Sequence, residues 1–193
     1  MNDSGMRCRD RRNLPVENSF RPMNNSPFHR HLTPRLLLCK NYDLLLSRGI
    51  KCLFFDLDNT LVTITERYPR EETKELFKSL KKKGFKIYIT SNSISARLKP
   101  FAYELNVEYI SSASKPKTEK IEELISKLKF GIDEIAIIGD SMMDDVVCGN
   151  TIGITTILLD QIDKKEFPLA RIRRMKEKKI QKKCIKLAKS TKM

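Results

Sequence analysis

Lys51-Cys52-Leu53-Phe54-Phe55-Asp56-Leu57-Asp58-Asn59-Thr60-Leu61-Val62 is the stretch on which the reading of this chain turns. No polar residue interrupts Cys52 to Phe55, the pattern of a strand buried on both faces. Two carboxylates, Asp56 and Asp58, follow at its C-terminal end, where ligands bind in a parallel α/β sheet. Side chains alternate along a strand, so residues i and i+2 are expected to project together toward one point. Two anions held that close repel each other unless a cation or a shared proton relieves them. Oxygen ligands of this kind suit Mg²⁺, which takes one or two carboxylates and keeps its other positions for waters and substrate phosphate. Taken alone, the pair also fits a solvated strand-to-loop turn with two acids, and the rest of the chain must decide.

On the N-terminal side, residues 1–33 are rich in Asn, Pro, Ser and Arg without a sustained apolar period and are expected to be poorly ordered. A domain is expected over 34–160, with a short helix at Tyr42–Arg48 stopped by Gly49. On the C-terminal side, Glu71–Lys83 reads as an amphipathic helix with acids in its first turn, lysines in its last and Gly84 behind it. Lys86–Thr90 is the second strand and delivers Ser91 and Asn92. Helical pattern resumes near Ser95 and runs toward Leu105, and Pro100 is expected to break or restart it, since an interior proline costs ~3 kcal/mol. Val107–Ile110 is the third strand, leading to Lys115-Pro116. Thr118 can cap a helix whose Ile121, Leu124, Ile125 and Leu128 share one face. Glu134–Ile138, a helix from about Met142 to Thr151, and the strand Thr155–Leu159 complete a β-α alternation. That alternation, with strands this apolar, predicts a three-layer, doubly wound parallel α/β sheet. Residues 161–193 are expected to form a basic helical extension.

The formal net charge of +14 is unevenly spread. Residues 35–159 carry 19 basic and 17 acidic side chains, whereas residues 160–193 carry 13 basic and 4 acidic ones, a net +9. A nearly neutral core with a basic tail implies either a polyanionic surface, nucleic acid or anionic lipid, or a merely solubilising tail. Phe167 is the tail's one aromatic residue, so base stacking has few candidates there. Cys8, Cys39, Cys52, Cys148 and Cys184 are odd in number and never spaced CxxC, which argues for a reducing compartment and against a zinc site. His29 and His31 precede any regular element and read as surface residues. No apolar run approaches the ~20 residues of a membrane span, and the first residues hold no secretory apolar segment.

Four strand ends thus present, in chain order, Asp56 and Asp58, Ser91 and Asn92, Lys115, and Asp140 with Asp144 and Asp145. Each alone is weak, since Ser-Asn fits a turn, Lys-Pro fits a loop and Asp140 could cap a helix. Together, each after a strand, they are hard to attribute to chance. The set resembles the haloacid dehalogenase superfamily of phosphohydrolases, whose four motifs match Phe54–Thr60 (FFDLDNT), Thr90–Asn92 (TSN), Lys115-Pro116 and Gly139–Asp145 (GDSMMDD), covering about residues 50–159. Leu32-Thr-Pro34, Gly49-Ile-Lys51, Phe54–Val62 and Gly149-Asn150 further resemble its YqeG-type IIIA branch, which includes phosphatidylglycerophosphate phosphatases.

The resemblance implies a role for each matching residue. Asp56 would be the nucleophile, forming an aspartyl-phosphate. Asp58 would protonate the leaving oxygen and then deprotonate the attacking water. Mg²⁺ would be held by an Asp56 oxygen, the backbone carbonyl of Asp58, and Asp140. Ser91 and the Asn92 backbone would bind phosphoryl oxygens, and Lys115 would offset charge on the phosphoryl group and on Asp56. Thr60 would brace the loop. Asp145, five residues after Asp140, is preferred to Asp144 as the second supporting acid.

In that superfamily a cap inserted after the first or second motif often selects the substrate. Only 32 residues separate Asp58 from Ser91, and no cap fits there or between Ser91 and Lys115. An open site of this kind accepts bulky phosphate esters. The leading expectation is a Mg²⁺-dependent phosphomonoesterase acting on a membrane-borne substrate such as phosphatidylglycerophosphate, with the basic tail on an anionic membrane. An RNA- or ribosome-associated factor with a secondary phosphatase site, and a general small-molecule phosphatase, are the alternatives. The expected location is cytoplasmic, at the inner face of a membrane, or else organellar (mitochondrial).

Overall fold

The computed structural model describes residues 42–163. The expectations for the N-terminal segment, for 34–41, for the basic extension beyond 163, for Cys8, Cys39 and Cys184 and for the two histidines lie outside the described residues.

Five parallel strands form one sheet: β1 (Cys52–Phe55), β2 (Lys86–Thr90), β3 (Glu108–Ile110), β4 (Ile135–Gly139) and β5 (Thr155–Leu158). Their order across the sheet is β3-β2-β1-β4-β5. The helices are α1 (Tyr42–Ser47), α2 (Glu71–Lys82), α3 (Ser95–Leu105), α4 (Glu119–Lys127) and α5 (Val147–Ile152). The chain winds outward from β1 through β2 to β3, then returns to place β4 on the other side of β1. The seam between β1 and β4, in register at Phe55 and Ile138, is therefore the topological switch point where the loops diverge and leave a crevice.

Strand alternation sorts the core into two layers. Leu53, Phe55, Ile87, Ile89, Ala136 and Ile138 face the side covered by α1, α2 and α3, where Leu45, Phe77, Leu80, Leu98 and Phe101 pack on them. Cys52, Phe54, Tyr88, Ile135 and Ile137 face the other side, against Ile121 of α4 and Cys148 of α5. Burying side chains of this size stabilises by about 1.5–3 kcal/mol each, so the continuous apolar run of β1 is what both helical layers close on. Burial also pushes the Cys52 thiol up to about 12 and the Cys148 thiol up to about 11, and both behave as small apolar core residues.

Pro100 neither breaks nor restarts α3, contrary to the expectation from sequence. It lies one residue before Phe101, and the helix buries Leu98, Phe101, Ala102 and Leu105 across it. The backbone bond that proline cannot make would have gone to Ala96, an exposed residue whose carbonyl water can satisfy. Apolar burial on the opposite face keeps the helix continuous. The stretch expected as one helix from Met142 likewise differs, being a π turn over Met142–Val146 that leads into the short α5. The intervals 59–90 and 92–114 hold only loops, one helix and one strand each, so no cap domain is inserted between the motifs. Among the described residues, no helix is long and apolar enough to cross a membrane.

Candidate active site

The site is built where the strands stop. Asp56 is the first residue after β1, and its amide still donates to the Ile138 carbonyl at 2.8 Å, which sets it beside the end of β4. The chain then turns tightly. The Leu57 carbonyl accepts from the amides of Thr60, Leu61 and Val62, and Asn59 takes a left-handed conformation (φ 64°) that asparagine tolerates better than most side chains. This turn ends the two-residue alternation, and the Asp58 carboxylate is not one of the three acids whose oxygens lie within 4.8 Å of one another.

Asp56 faces a buried cluster. The Lys115 ammonium, whose side chain is 1% exposed, donates to Asp56 Oδ1 at 2.8 Å, to Asp145 Oδ1 at 2.5 Å and to the Thr90 carbonyl at 2.8 Å. A lysine ammonium has three protons, and all three are used. Oxygens of Asp56, Asp140 and Asp145 lie within 4.8 Å of one another. Thr60 Oγ1 donates to Asp140 Oδ1 at 3.2 Å, tying the loop after β1 to the end of β4. Burial pushes the Asp56 carboxyl well above the usual carboxylate range; Lys115 opposes this, while Asp145 and Asp140 add to it. Burial lowers the Lys115 pKa, but Asp145 and Asp56 outweigh it and raise it overall, so the ammonium stays charged.

Three carboxylates and one ammonium leave the cluster anionic, in a position sealed from most solvent. Asp56 and Asp140 supply hard oxygen donors from adjacent strands, the donor set that a small divalent cation such as Mg²⁺ accepts. A cation there would also relieve the repulsion that raises Asp56. The residues therefore fit a metal.

The second and third motifs interlock. Asn92 Nδ2 donates to the Lys115 carbonyl at 2.9 Å, and the Lys115 amide donates to Asn92 Oδ1 at 2.7 Å. The Asn92 side chain thus holds the Lys115 backbone. Ser91 is buried, its amide donates to the Ile110 carbonyl at the end of β3, and its hydroxyl oxygen accepts from the Ser93 amide at 3.1 Å. Accepting that bond leaves the hydroxyl proton for another partner.

Asp145 rather than Asp144 reaches the cluster. In the π turn, the amides of Asp145 and Val146 both donate to the Ser141 carbonyl, and Asp145 Oδ2 accepts from the Ser141 amide at 3.1 Å. Such turns recur at functional sites. Asp144 is placed differently: its amide donates to the Ser141 hydroxyl oxygen at 3.1 Å.

Asp58 stands apart from the metal-type cluster, its carboxylate meeting Arg97 and Ser93 instead. Neither partner was singled out in the sequence: Ser93 lies just before the helix α3 and Arg97 in its first turn.

A model of the haloacid dehalogenase-like hydrolase family matches residues 63–153, a span that takes in Ser91, Lys115, Asp140 and Asp145. The chain is 29% identical over 150 residues to "Probable phosphatase YqeG" of Bacillus subtilis (strain 168), covering 78% of this chain and 83% of that protein. Among solved structures, it is similar to an uncharacterised protein from Listeria monocytogenes serotype 4b, with TM-score 0.48 and 18% identity over 62% of this chain and 85% of that one. It is also similar to the N-terminal part of BF1531 from Bacteroides fragilis, containing a phosphatase domain complexed with Mg, with TM-score 0.47 and 19% identity over 58% of this chain and 36% of that one. Residues 63–153 match the haloacid dehalogenase-like hydrolases, and the similarity to a probable phosphatase over 78% of the chain supports a phosphatase.

Proposed function

We propose that this phosphatase works through an aspartyl-phosphate on Asp56, and that its substrate is a phosphomonoester carried on an anionic surface, phosphatidylglycerophosphate being the leading candidate. The observation that carries the chemistry is the buried Asp56 carboxylate, 2.8 Å from a fully engaged lysine and beside two further acids at the switch point of the sheet.

Asp56 attacks the phosphorus, and the bond from phosphorus to the ester oxygen breaks. Asp58 gives its proton to that oxygen, so an alcohol departs. Asp58 then takes a proton from water as the water attacks the phosphorus of the acyl phosphate, which releases phosphate and restores Asp56. Dividing one displacement into two supplies an easier path, and positioned proton transfer contributes about 10²–10⁴-fold. Ser91 donates its hydroxyl, and Asn92 its backbone amide, to phosphoryl oxygens. Lys115 offsets charge at Asp56 and on the phosphoryl group. Asp56, Asp140 and the Asp58 carbonyl would hold Mg²⁺, which when bound neutralises charge on the phosphoryl oxygens.

Three features support a surface-borne substrate. Among the described residues, no inserted domain covers the site. Ile94, directly after the Ser91–Ser93 loop, is 66% exposed, and Tyr68, in the loop after β1, is 63% exposed. The Ile162 amide donates to the Asn59 carbonyl at 3.1 Å, so the chain leaves toward its basic tail from beside the site loop. Each basic residue near an anionic membrane adds roughly 1 kcal/mol of attraction.

The test is Mg²⁺-dependent phosphate release from phosphatidylglycerophosphate in mixed micelles, beside a soluble aryl phosphate, with Asp56→Asn as the blank. Preference for the lipid that is lost on removing residues 165–193 is the expected result. Activity on the aryl phosphate alone would discard the lipid assignment and keep the chemistry. Persistence of activity in Asp56→Asn would discard the aspartyl-phosphate.

A further inference from the structure

The buried cluster does not hold the Asp58 carboxylate; Arg97 of α3 and Ser93 in the loop before it do. Arg97 donates to Asp58 Oδ1 from Nε at 3.1 Å and from Nη2 at 2.9 Å, and the Ser93 hydroxyl donates to Asp58 Oδ2 at 2.6 Å. The ion pair is largely withdrawn from solvent, the side chains being 19% and 21% exposed. Arg97 is itself fixed on three sides. Nη2 also donates to the Thr63 carbonyl at 3.0 Å, Nη1 donates to the Glu66 carbonyl, and the guanidinium lies 4.9 Å from the Phe101 ring centroid. Glu66 in turn accepts from the Thr63 amide at 2.6 Å and from Arg70.

We propose that Arg97 is the positioning residue of the proton-transfer group: its fork clamps Asp58 through Oδ1 while the Ser93 hydroxyl holds Oδ2, which fixes the carboxylate beside the Ser91 loop. The inference rests on the reading of Asp58 as acid and base given above. Three observations carry it. A guanidinium has five N–H donors in a rigid fork, and four are spent on Asp58, Thr63 and Glu66, so Arg97 is not placed as a phosphate ligand. Both Arg97 donors converge on Oδ1 while the Ser93 hydroxyl reaches Oδ2, which makes the two carboxylate oxygens inequivalent. Finally, Ser93 and Arg97 lie on the same chain segment as Ser91, so the loop and first helical turn after β2 that place a phosphoryl ligand also place the proton donor. A carboxylate on a loop would otherwise rotate freely, and a small misplacement of a reacting group carries a large penalty in rate.

The experiment measures kcat/KM at saturating Mg²⁺ over phosphate esters that range from dinitrophenyl through phenyl to alkyl leaving groups. That constant reports only steps through the first phosphoryl transfer, where a good leaving group needs no proton and an alkyl one does. The proteins are wild type, Asp58→Ala, Arg97→Ala, Arg97→Lys and Ser93→Ala, each checked for folding by thermal midpoint. Asp58→Ala is expected to lose about 10²–10⁴-fold on the alkyl ester and far less on the dinitrophenyl ester. Arg97→Ala is expected to show the same graded loss at about 10²-fold on the alkyl ester, with Arg97→Lys intermediate because it keeps charge without the fork. Ser93→Ala, which removes only the Oδ2 partner, is expected to lose about 10-fold with the same grading. If Arg97→Ala does not fold, Arg97→Lys and Ser93→Ala decide. A loss by one common factor across all esters in the Arg97 variants, with Asp58→Ala still graded, overturns the positioning role alone. A flat loss in Asp58→Ala overturns the acid–base reading, and the positioning role with it.

Discussion

Gly139 and Asp145 share one space: a Cβ on Gly139 would fall 2.1 Å from Asp145 Oδ2 and 2.8 Å from Asp145 Cβ. The contact reaches the root of the Asp145 side chain, so rotation of the carboxylate does not relieve it. Gly139→Ala is therefore expected to push Asp145 off Lys115. Overpacking of this kind costs about 1–3 kcal/mol, and the displaced acid should lower kcat about 10–100-fold through the loosened lysine. Calorimetry and steady-state kinetics on the one variant test both. Unchanged kcat with a lower midpoint would detach Asp145 from the chemistry.

Lys115 is the ammonium that binds two of the clustered acids. Lys115→Met leaves Asp56, Asp140 and Asp145 facing one another without it. Breaking a buried pair from one side costs about 3–5 kcal/mol, and that loss is expected near neutral pH in metal-free protein. The loss should shrink as pH falls and the acids take up protons. Denaturant titrations in chelator at two pH values measure it, and equal losses at both would argue against carboxylate repulsion as the cause.

Asp56 sets a pH dependence for the metal-free fold. Its folded-state pKa is raised, by burial first and then by Asp145 and Asp140, above the unfolded value of about 3.9. Between those values the folded state binds more protons than the unfolded one, so this group's contribution to stability falls as pH rises through the window. A divalent cation takes the proton's place. Mg²⁺ is expected to raise the thermal midpoint, by about 2.7 kcal/mol of stability at 100 times its Kd, and to do so more strongly at about pH 8 than at about pH 5. Asp56→Asn should flatten the difference. A Mg²⁺ increment that ignores pH would remove Asp56 from the metal site.

Pro100 offers a stability test remote from the chemistry. Pro100→Ala restores the amide that can reach the Ala96 carbonyl, while the unfolded chain regains the freedom that proline removes. The first effect is worth about 3 kcal/mol in an interior turn and the second about 0.4–1 kcal/mol in the opposite sense. A net gain of about 1–2 kcal/mol is expected, since water already serves part of the lost bond. Chemical denaturation measures it; a loss of stability would mean that α3 is fitted to the proline.

Apolar runs bounded by glycine, and four strand ends each bearing charged or hydroxylated residues, were enough to order β1 to β5 and to name the motif residues. This worked because burial on both faces of a parallel sheet demands continuous apolar strands, a local property that any reader of the chain can see. The helix through Pro100 was not legible, because packing of Leu98, Phe101 and Leu105 outweighs a local penalty only in the assembled core. Nor were the partners of Asp58, because alternation holds along a strand and stops at the turn that Asn59 makes, and Ser93 and Arg97 come from a different loop and helix. Sequence by itself determined which side chains gather at the end of the sheet. Tertiary structure decided which of them touch: Lys115 comes to lie between Asp56 and Asp145, residues 59 and 30 positions away, and Arg97 holds an acid 39 residues behind it. Such pairings depend on how loops from different strands close over one crevice, and no local pattern in the chain encodes that closure.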